Sequence, residues 1–252
     1  MLSSPHHPLV SIITVVYNGK SYLERTIESV LSQNYPNLEY IIVDGNSNDG
    51  TIELIKTFGD RIRWISEPDK GIYDAMNKGI SMASGVWVNF LNGGDYFFDS
   101  NVVSTVFVQK KNQDIDFIYG DSINKADNFT RYIEARKISL ATLHSGLGVC
   151  HQSMFVRKAI IPNYDLQYRF KAEYNWVIDI FEKIPQDHIQ HVEIPVVYYA
   201  LGGFSEKGLL KNIQEFISVT MTRFGWRQVI KNIPIYTLLF LRFLKYKFIG
   251  YV

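Results

Sequence analysis

Val86-Trp87-Val88-Asn89-Phe90-Leu91-Asn92-Gly93-Gly94-Asp95 decides the fold. An apolar run of strand length ends in a glycine turn, and the turn ends in an acid. A continuous apolar run of this kind reads as a strand buried on both faces. In an open α/β sheet, ligands gather beyond the carboxyl ends of the strands. An acid there is well placed to hold a divalent metal beside a phosphate.

Before this stretch the chain alternates strand and helix patterns. Residues 9–16, 38–43 and 62–65 read as strands. Residues 21–33, 49–58 and 72–84 carry helical spacing. After it the pattern loosens. Residues 117–119, 153–156 and 192–199 read as strands, 122–137 as a polar hairpin, and 174–184 as a helix. From residue 209 the spacing is helical, with breaks at Gly225 and Pro234. The expected fold class is α/β, a central mixed and mostly parallel sheet. The expected division is 1–206 (halves 1–120 and 121–206) and a helical appendage, 207–252.

The chain has 252 residues, 46% of them hydrophobic, so it can fill a core and is not disordered. A net charge of +1 gives no argument for a nucleic-acid partner. The single Cys150 excludes an intrachain disulfide and suits a reducing compartment. The N-terminus lacks the basic and long apolar regions of a secretory signal. The late apolar stretch 233–241 contains Pro234 and stops at Arg242, short of the roughly 20 residues a spanning helix needs. Arg223, Arg227, Lys231, Arg242, Lys245 and Lys247 fall in a tail without Asp or Glu, interleaved with Trp226, Ile230, Ile233, Tyr236, Leu238, Leu239, Phe240 and Phe243. Such a segment suits a membrane interface with anionic lipid, or packs on protein. The expected location is cytoplasmic, peripheral on the inner membrane face.

Strand-end residues are the candidate binders. Tyr17-Asn18-Gly19 follows the first strand. One glycine is not a dinucleotide fingerprint, and no Walker-type loop occurs. Asp44 follows three apolar positions, so it must be solvated or paired. Ser47, Asn48 and Asp49 suit the cap of the next helix. Asp74 and Asn77 share a helix face; Asp74 also suits the positive end of the helix dipole.

Four segments, VSIITVVYNG, IIVDGNSNDGT, EPDKGIYDAMNKGI and VNFLNGGDYF, in this order, resemble the family 2 glycosyltransferases of GT-A fold, in particular bacterial polysaccharide-assembly members. They span about residues 9–100, and later pieces extend the likeness to about residue 206. The resemblance implies a nucleoside-diphosphate sugar donor, UDP-sugar favoured, and inverting transfer to a hydroxyl. It sets Tyr17 and Asn18 at the nucleotide, Asp44 at the base edge, and Asp74 and Asn77 near ribose and diphosphate. The metal motif falls on Asn92-Gly93-Gly94-Asp95, where Asn92 and Gly94 replace earlier acids. Met76 stands where many relatives carry Arg.

Departure of the leaving group places negative charge on a diphosphate, which Mn2+ or Mg2+ offsets. Asp95 is the metal acid, and His151 is the candidate second ligand. The acceptor hydroxyl needs a base. The family's A-D-Y-D stretch corresponds to Ala172-Glu173-Tyr174-Asn175, which puts Glu173 in that role. Its alternative is a first-turn acid on the helix dipole. Gly202-Gly203-Phe204-Ser205 resembles a loop that closes near donor and acceptor. The expected acceptor is a saccharide, lipid-linked. The depleted acidic motif leaves open a nucleotide-sugar-binding or scaffold protein without turnover. A nucleotidyltransferase is disfavoured, because its glycine-rich activating loop is not seen.

Overall fold

The computed structural model describes residues 7–126, 129–201 and 208–249. The expected loop Gly202-Gly203-Phe204-Ser205 lies outside the described residues, as do the side chains of Arg242, Phe243, Lys245 and Lys247.

The strands are β1 (Val10–Val16), β2 (Leu38–Asp44), β3 (Arg63–Ser66), β4 (Trp87–Phe90), β5 (Tyr96–Phe97), β6 (Phe117–Ala126), β7 (Phe129–Ile133), β8 (Met154–Arg157) and β9 (Ile189–Ala200). They form one sheet in the order β3-β2-β1-β4-β8-β6-β9-β5, with β7 paired to β6. Helices α1 (Leu23–Leu31), α2 (Thr51–Thr57) and α3 (Ile72–Met82) connect β1 to β4. Beyond β4 come α4 (Val102–Val108), α5 (Leu140–Leu143), α6 (Ala172–Phe181), α7 (Leu209–Phe224), α8 (Trp226–Lys231) and α9 (Ile233–Ile249).

Every residue of β1 is buried, and both its neighbours, β2 and β4, run parallel to it. That explains its unbroken apolar sequence. Alternate residues feed two cores. Ile13 and Val15 join one with α3, α6 and α7. Val10, Ile12 and Val16 join the other with α1 and α4. The parallel part ends at β4, whose next neighbour, β8, is antiparallel. Among the described strands parallel pairing recurs at β6 and β9, so the sheet is mixed, with its longest ladders parallel. The polar hairpin is β6 and β7.

The C-terminal helices share the main core. Ile213, Phe216 and Val219 of α7 and Tyr236 of α9 are buried in the same cluster as Met76 of α3 and Trp176 of α6. The expected break at Gly225 is present, with φ 80°. Pro234 falls in the first turn of α9, where a missing N–H costs nothing. Among the described residues no helix is long and apolar enough to cross a membrane.

Close approach of α3 to β1 requires Gly79. A Cβ there would come 2.4 Å from Ile13 Cγ2, inside the core. Alanine gains about 1 kcal/mol of helix propensity but overpacks a buried contact at a cost of about 1–3 kcal/mol. We expect Gly79→Ala to lose about 1 kcal/mol or more in urea denaturation; a gain in stability would contradict this packing.

Candidate active site

The loops after β1 and β2 are laced together at the carboxyl edge of the sheet. Asn18 N–H donates to Ser47 Oγ (2.7 Å), and Asn48 N–H donates to Asn18 Oδ1 (3.1 Å). Gly19 N–H donates to Thr51 Oγ1 at 2.9 Å. Asn18 (φ 49°) and Asn46 (φ 64°) are left-handed, a conformation asparagine tolerates better than most residues. Asp44 is fully buried at the end of β2. It accepts from Ser47 N–H (2.9 Å), from Ser47 Oγ and from Ser66 Oγ (2.6 Å). Those donors answer how an acid can follow three buried residues.

Tyr17 is 62% exposed beside this loop. Gly45 separates it from Asp69: a Cβ at 45 would sit 2.7 Å from Asp69 Oδ2 and 3.4 Å from Tyr17 Cδ2. Asp69 was not singled out from the sequence, where it reads as one turn acid in Glu67-Pro68-Asp69-Lys70-Gly71. Its position depends on the parallel pairing of β2 with β3, which brings the two loops side by side.

Asp74 accepts from Lys70 N–H (2.9 Å) and lies 3.9 Å from Lys78 Nζ, as a first-turn acid of α3 does. Asn77, one turn further along α3, bonds a distant backbone. Its Nδ2 donates to Tyr164 O (3.0 Å) and its Oδ1 accepts from Tyr164 N–H (2.7 Å). Its amide pins the 164 backbone to α3.

The turn after β4 is held from both sides. Gly93 N–H donates to Val15 O (3.1 Å), and Asp95 N–H to Asn92 O (3.0 Å). Thr26 of α1 accepts from Gly94 N–H (3.0 Å) and donates to Asp95 O (2.7 Å). The Asp95 carboxyl is buried, accepts from Ala200 N–H (2.8 Å) and is bonded by the Gln152 side chain. Burial pushes it up to about 7 against those bonds. Asn92 Oδ1 is buried with no hydrogen-bond partner. A raised carboxyl and an orphaned oxygen on one turn suit a hard divalent cation, which takes oxygen ligands. Among the described residues no group of three or more His, Cys, Asp or Glu side chains could hold an ion. The residues therefore fit a cation that brings most of its ligands with it.

His151, the candidate second ligand, lies among aromatic rings. Its ring stacks on Phe90 (centroids 5.3 Å) with Trp176 at its edge, and its Nε2 bonds Tyr164 Oη at 2.7 Å. Burial lowers its pKa to about 4, so it is neutral. Cys150 and Gln152, on either side, face Asp95 instead. His151 thus packs against aromatic rings with its Nε2 already hydrogen-bonded.

Glu173 lies in the first turn of α6. Tyr73, from the GIYDAMNKG segment of α3, donates its hydroxyl to Glu173 Oε2. Burial pushes the Glu173 carboxyl up to about 8, and the Glu215 charge adds to the rise. A carboxyl titrating near neutrality suits proton transfer better than an ordinary one.

A family model for glycosyl transferase family 2 matches residues 11–231. A "PGL/p-HBAD biosynthesis glycosyltransferase" of Mycobacterium bovis (strain BCG / Pasteur 1173P2) is 30% identical over 233 residues, covering 88% of this chain and 89% of that protein. S. aureus TarS 1-349 in complex with UDP-GlcNAc superposes with a TM-score of 0.68 at 13% identity, over 85% of this chain. This chain spans 66% of that one, just under two thirds. Glucosyl-3-phosphoglycerate synthase from Mycobacterium tuberculosis, in complex with Mn2+, UDP and glucosyl-3-phosphoglycerate, gives 0.61 at 18% identity, over 86% of this chain and 80% of that one. At these identities the superpositions establish the GT-A fold.

The raised Glu173 carboxyl has a consequence for stability. The folded chain keeps this proton up to about pH 8, whereas an ordinary glutamate releases it near 4.5. Its contribution is therefore complete below about pH 4.5, declines as pH rises through about 8, and is lowest above that. Glu173→Gln keeps the neutral shape and removes the dependence. We expect the variant to melt close to wild type at pH 4.5 and several degrees above it at pH 9. A variant melting at or below wild type at pH 9 would contradict the buried neutral carboxyl.

Proposed function

This chain belongs to glycosyl transferase family 2, and from that premise we propose an inverting, divalent-metal-dependent transferase. It moves a sugar from a nucleoside-diphosphate donor, UDP-sugar favoured, to a hydroxyl of a lipid-linked saccharide in bacterial surface-polysaccharide assembly. The observation that carries the reading is the placement of two carboxyls, Asp95 on the turn after β4, held by Ala200 N–H, and Glu173 in the first turn of α6, held by the Tyr73 hydroxyl. The UDP, UDP-GlcNAc and Mn2+ held by the structural neighbours support the donor and the ion.

In this reading the exposed Tyr17 ring lies against the base, and Asp44, fixed by Ser47 and Ser66, accepts a base N–H. Asp69 lies beside Tyr17 at the mouth of the same cleft. Asn18 and Gly94 shape the backbone that approaches ribose and diphosphate, and Asp74 faces them from α3. Asp95 and Asn92 would hold Mn2+ or Mg2+, which when bound offsets the charge of the leaving diphosphate. Glu173 takes the acceptor hydroxyl proton. The acceptor oxygen then bonds the anomeric carbon as the carbon–oxygen bond to diphosphate breaks, and the diphosphate leaves with that electron pair. A single displacement inverts the anomeric centre. Tyr73, hydrogen-bonded to Glu173, links the base to the donor side through α3.

A second reading, a nucleotide-sugar-binding protein without turnover, draws on the shortage of acids around Asp95. Release of nucleoside diphosphate from a panel of nucleotide sugars with Mn2+ separates the two. We expect release by wild type, and loss by roughly 10²-fold or more on Asp95→Ala or with chelator. Glu173→Gln should keep donor affinity and lower transfer by roughly 10²–10⁴-fold. Binding without release under all conditions would favour the second reading; full activity of Asp95→Ala would remove the metal role.

The inner-membrane location draws on α8 and α9, where Trp226 is 59% and Leu238 68% exposed beside Ile230, Ile233 and Leu241. Arg227 and Lys231 supply positive charge there. Arg223 does not, because it pairs with Asp179 on α6 and with Glu182 just after it. In flotation with phosphatidylglycerol-containing vesicles we expect wild type to float and the Trp226→Ser/Arg227→Glu/Lys231→Glu variant to stay behind. Equal flotation would rule out this surface as the membrane contact.

A further inference from the structure

Helix α7 lies in the stretch expected to be an appendage, yet it carries a buried acid aimed at the catalytic half. Glu215 is 8% exposed. It accepts three successive backbone N–H groups: Arg169 to Oε1 (3.0 Å), Phe170 to Oε2 (2.7 Å) and Lys171 to Oε2 (3.0 Å). These residues are the entry to α6, whose second residue is Glu173. Charge-assisted bonds of this kind are stronger than neutral ones and fix direction as well as distance. A second clamp lies further along α6, where Arg223 Nε donates to Asn175 Oδ1 (2.9 Å) and the guanidinium pairs with Asp179. Between the clamps, Phe216 meets Tyr174 edge to face at 5.4 Å. Helix α7 thus grips α6 along its length, and Glu215 holds the end that presents Glu173.

We infer that Glu215 is the positioning residue of Glu173: by gathering the 169–171 backbone it fixes the first turn of α6 and aims the Glu173 carboxyl at the acceptor hydroxyl. The inference rests on the base role given to Glu173 above. Glu215 also acts through charge. It lies near enough to Glu173 to resist ionisation of that carboxyl, reinforcing the effect of burial. The groups that act on Glu173 are Tyr73 from α3 and Glu215 from α7; Lys171, at the start of its own helix, is coupled to Glu215. Burial lowers Lys171 to about 8, and Glu215 opposes that shift. C-terminal residues of this chain are therefore working parts of the transfer site.

Three full-length variants test this. Glu215→Gln removes the charge but keeps one oxygen; Glu215→Asp keeps the charge on a shorter arm; Glu173→Gln removes the base. The readouts are the Glu173 carboxyl titration by 13C NMR, assigned with Glu173→Gln, and the pH profile of UDP release from UDP-glucose or UDP-GlcNAc with Mn2+. We expect Glu215→Gln to lower the rate by tenfold or more, keep UDP affinity, and move both the Glu173 titration and the acid limb of the profile to lower pH. Glu215→Asp should lower the rate with little movement of the limb. Should Glu215→Gln not fold, the rate loss of Glu215→Asp at unchanged UDP affinity carries the test. If Glu173→Gln stops release while both Glu215 variants leave rate and titration unchanged, the positioning role is overturned and the base role stands. A Glu215 rate loss that only follows loss of folded protein and of UDP binding overturns it equally. If Glu173→Gln keeps full release, the base role itself fails, whatever the Glu215 variants do.

Discussion

Burial of carboxyls without a protein cation beside them is the constraint on which the rest depends. Asp95 and Glu173 are both desolvated, and no basic side chain among the described residues pairs with either by a salt bridge. Each keeps a proton near neutrality because ionisation in a low-dielectric setting is unfavourable. Once ionised, an acid in that setting favours an arriving cation or a returning proton. The proposed roles divide along this line, Asp95 toward a metal and Glu173 toward the acceptor hydroxyl. The other buried strand-end acid, Asp44, is handled differently, since two serines satisfy it.

The frame that buries these groups is shared by the whole chain. Central β1 positions the turn after β4 through Gly93 N–H, and α1 grips that turn through Thr26. Strand β9 reaches back to Asp95 from Ala200. Helix α3 joins the two acidic regions, with Tyr73 on Glu173 and Asn77 on the Tyr164 backbone. Helix α7 closes the back of α6. A glycosyltransferase of this family has to bring donor and acceptor machinery within one bond length at the transition state, and a continuous sheet with clamped helices limits the motion that would separate them.

The parallel half was legible because its strands are buried on both faces and its helices are amphipathic, so residues 9–91 fell into elements within two or three positions. The second half was harder. Strand β5 has two residues, too few for any periodicity, and β6 ran past Tyr119 because its later residues gain their ladder from β7 and β9. Asp95 and Glu173 could be singled out because their motifs carry local sequence signals. The contacts of Asn77 and His151 were not legible, because their partners, Tyr164, Phe90 and Trp176, are distant in sequence. Glu215 gave no signal at all: it is one acid on a helical stretch, and its role exists only through backbone N–H groups that sequence does not distinguish.

The central claim is that the metal depends on the donor, since the turn offers one carboxylate and one amide oxygen. Titration calorimetry of the full chain with Mn2+ alone, with UDP alone and with both tests it directly. Binding of one ligand must strengthen the other by the same factor if they share contacts. The account predicts no saturable binding of Mn2+ alone at millimolar concentration, and UDP affinity at least about tenfold higher with Mn2+ present, a coupling of about 1.4 kcal/mol. Tight Mn2+ binding without nucleotide, or UDP affinity indifferent to Mn2+, would contradict it.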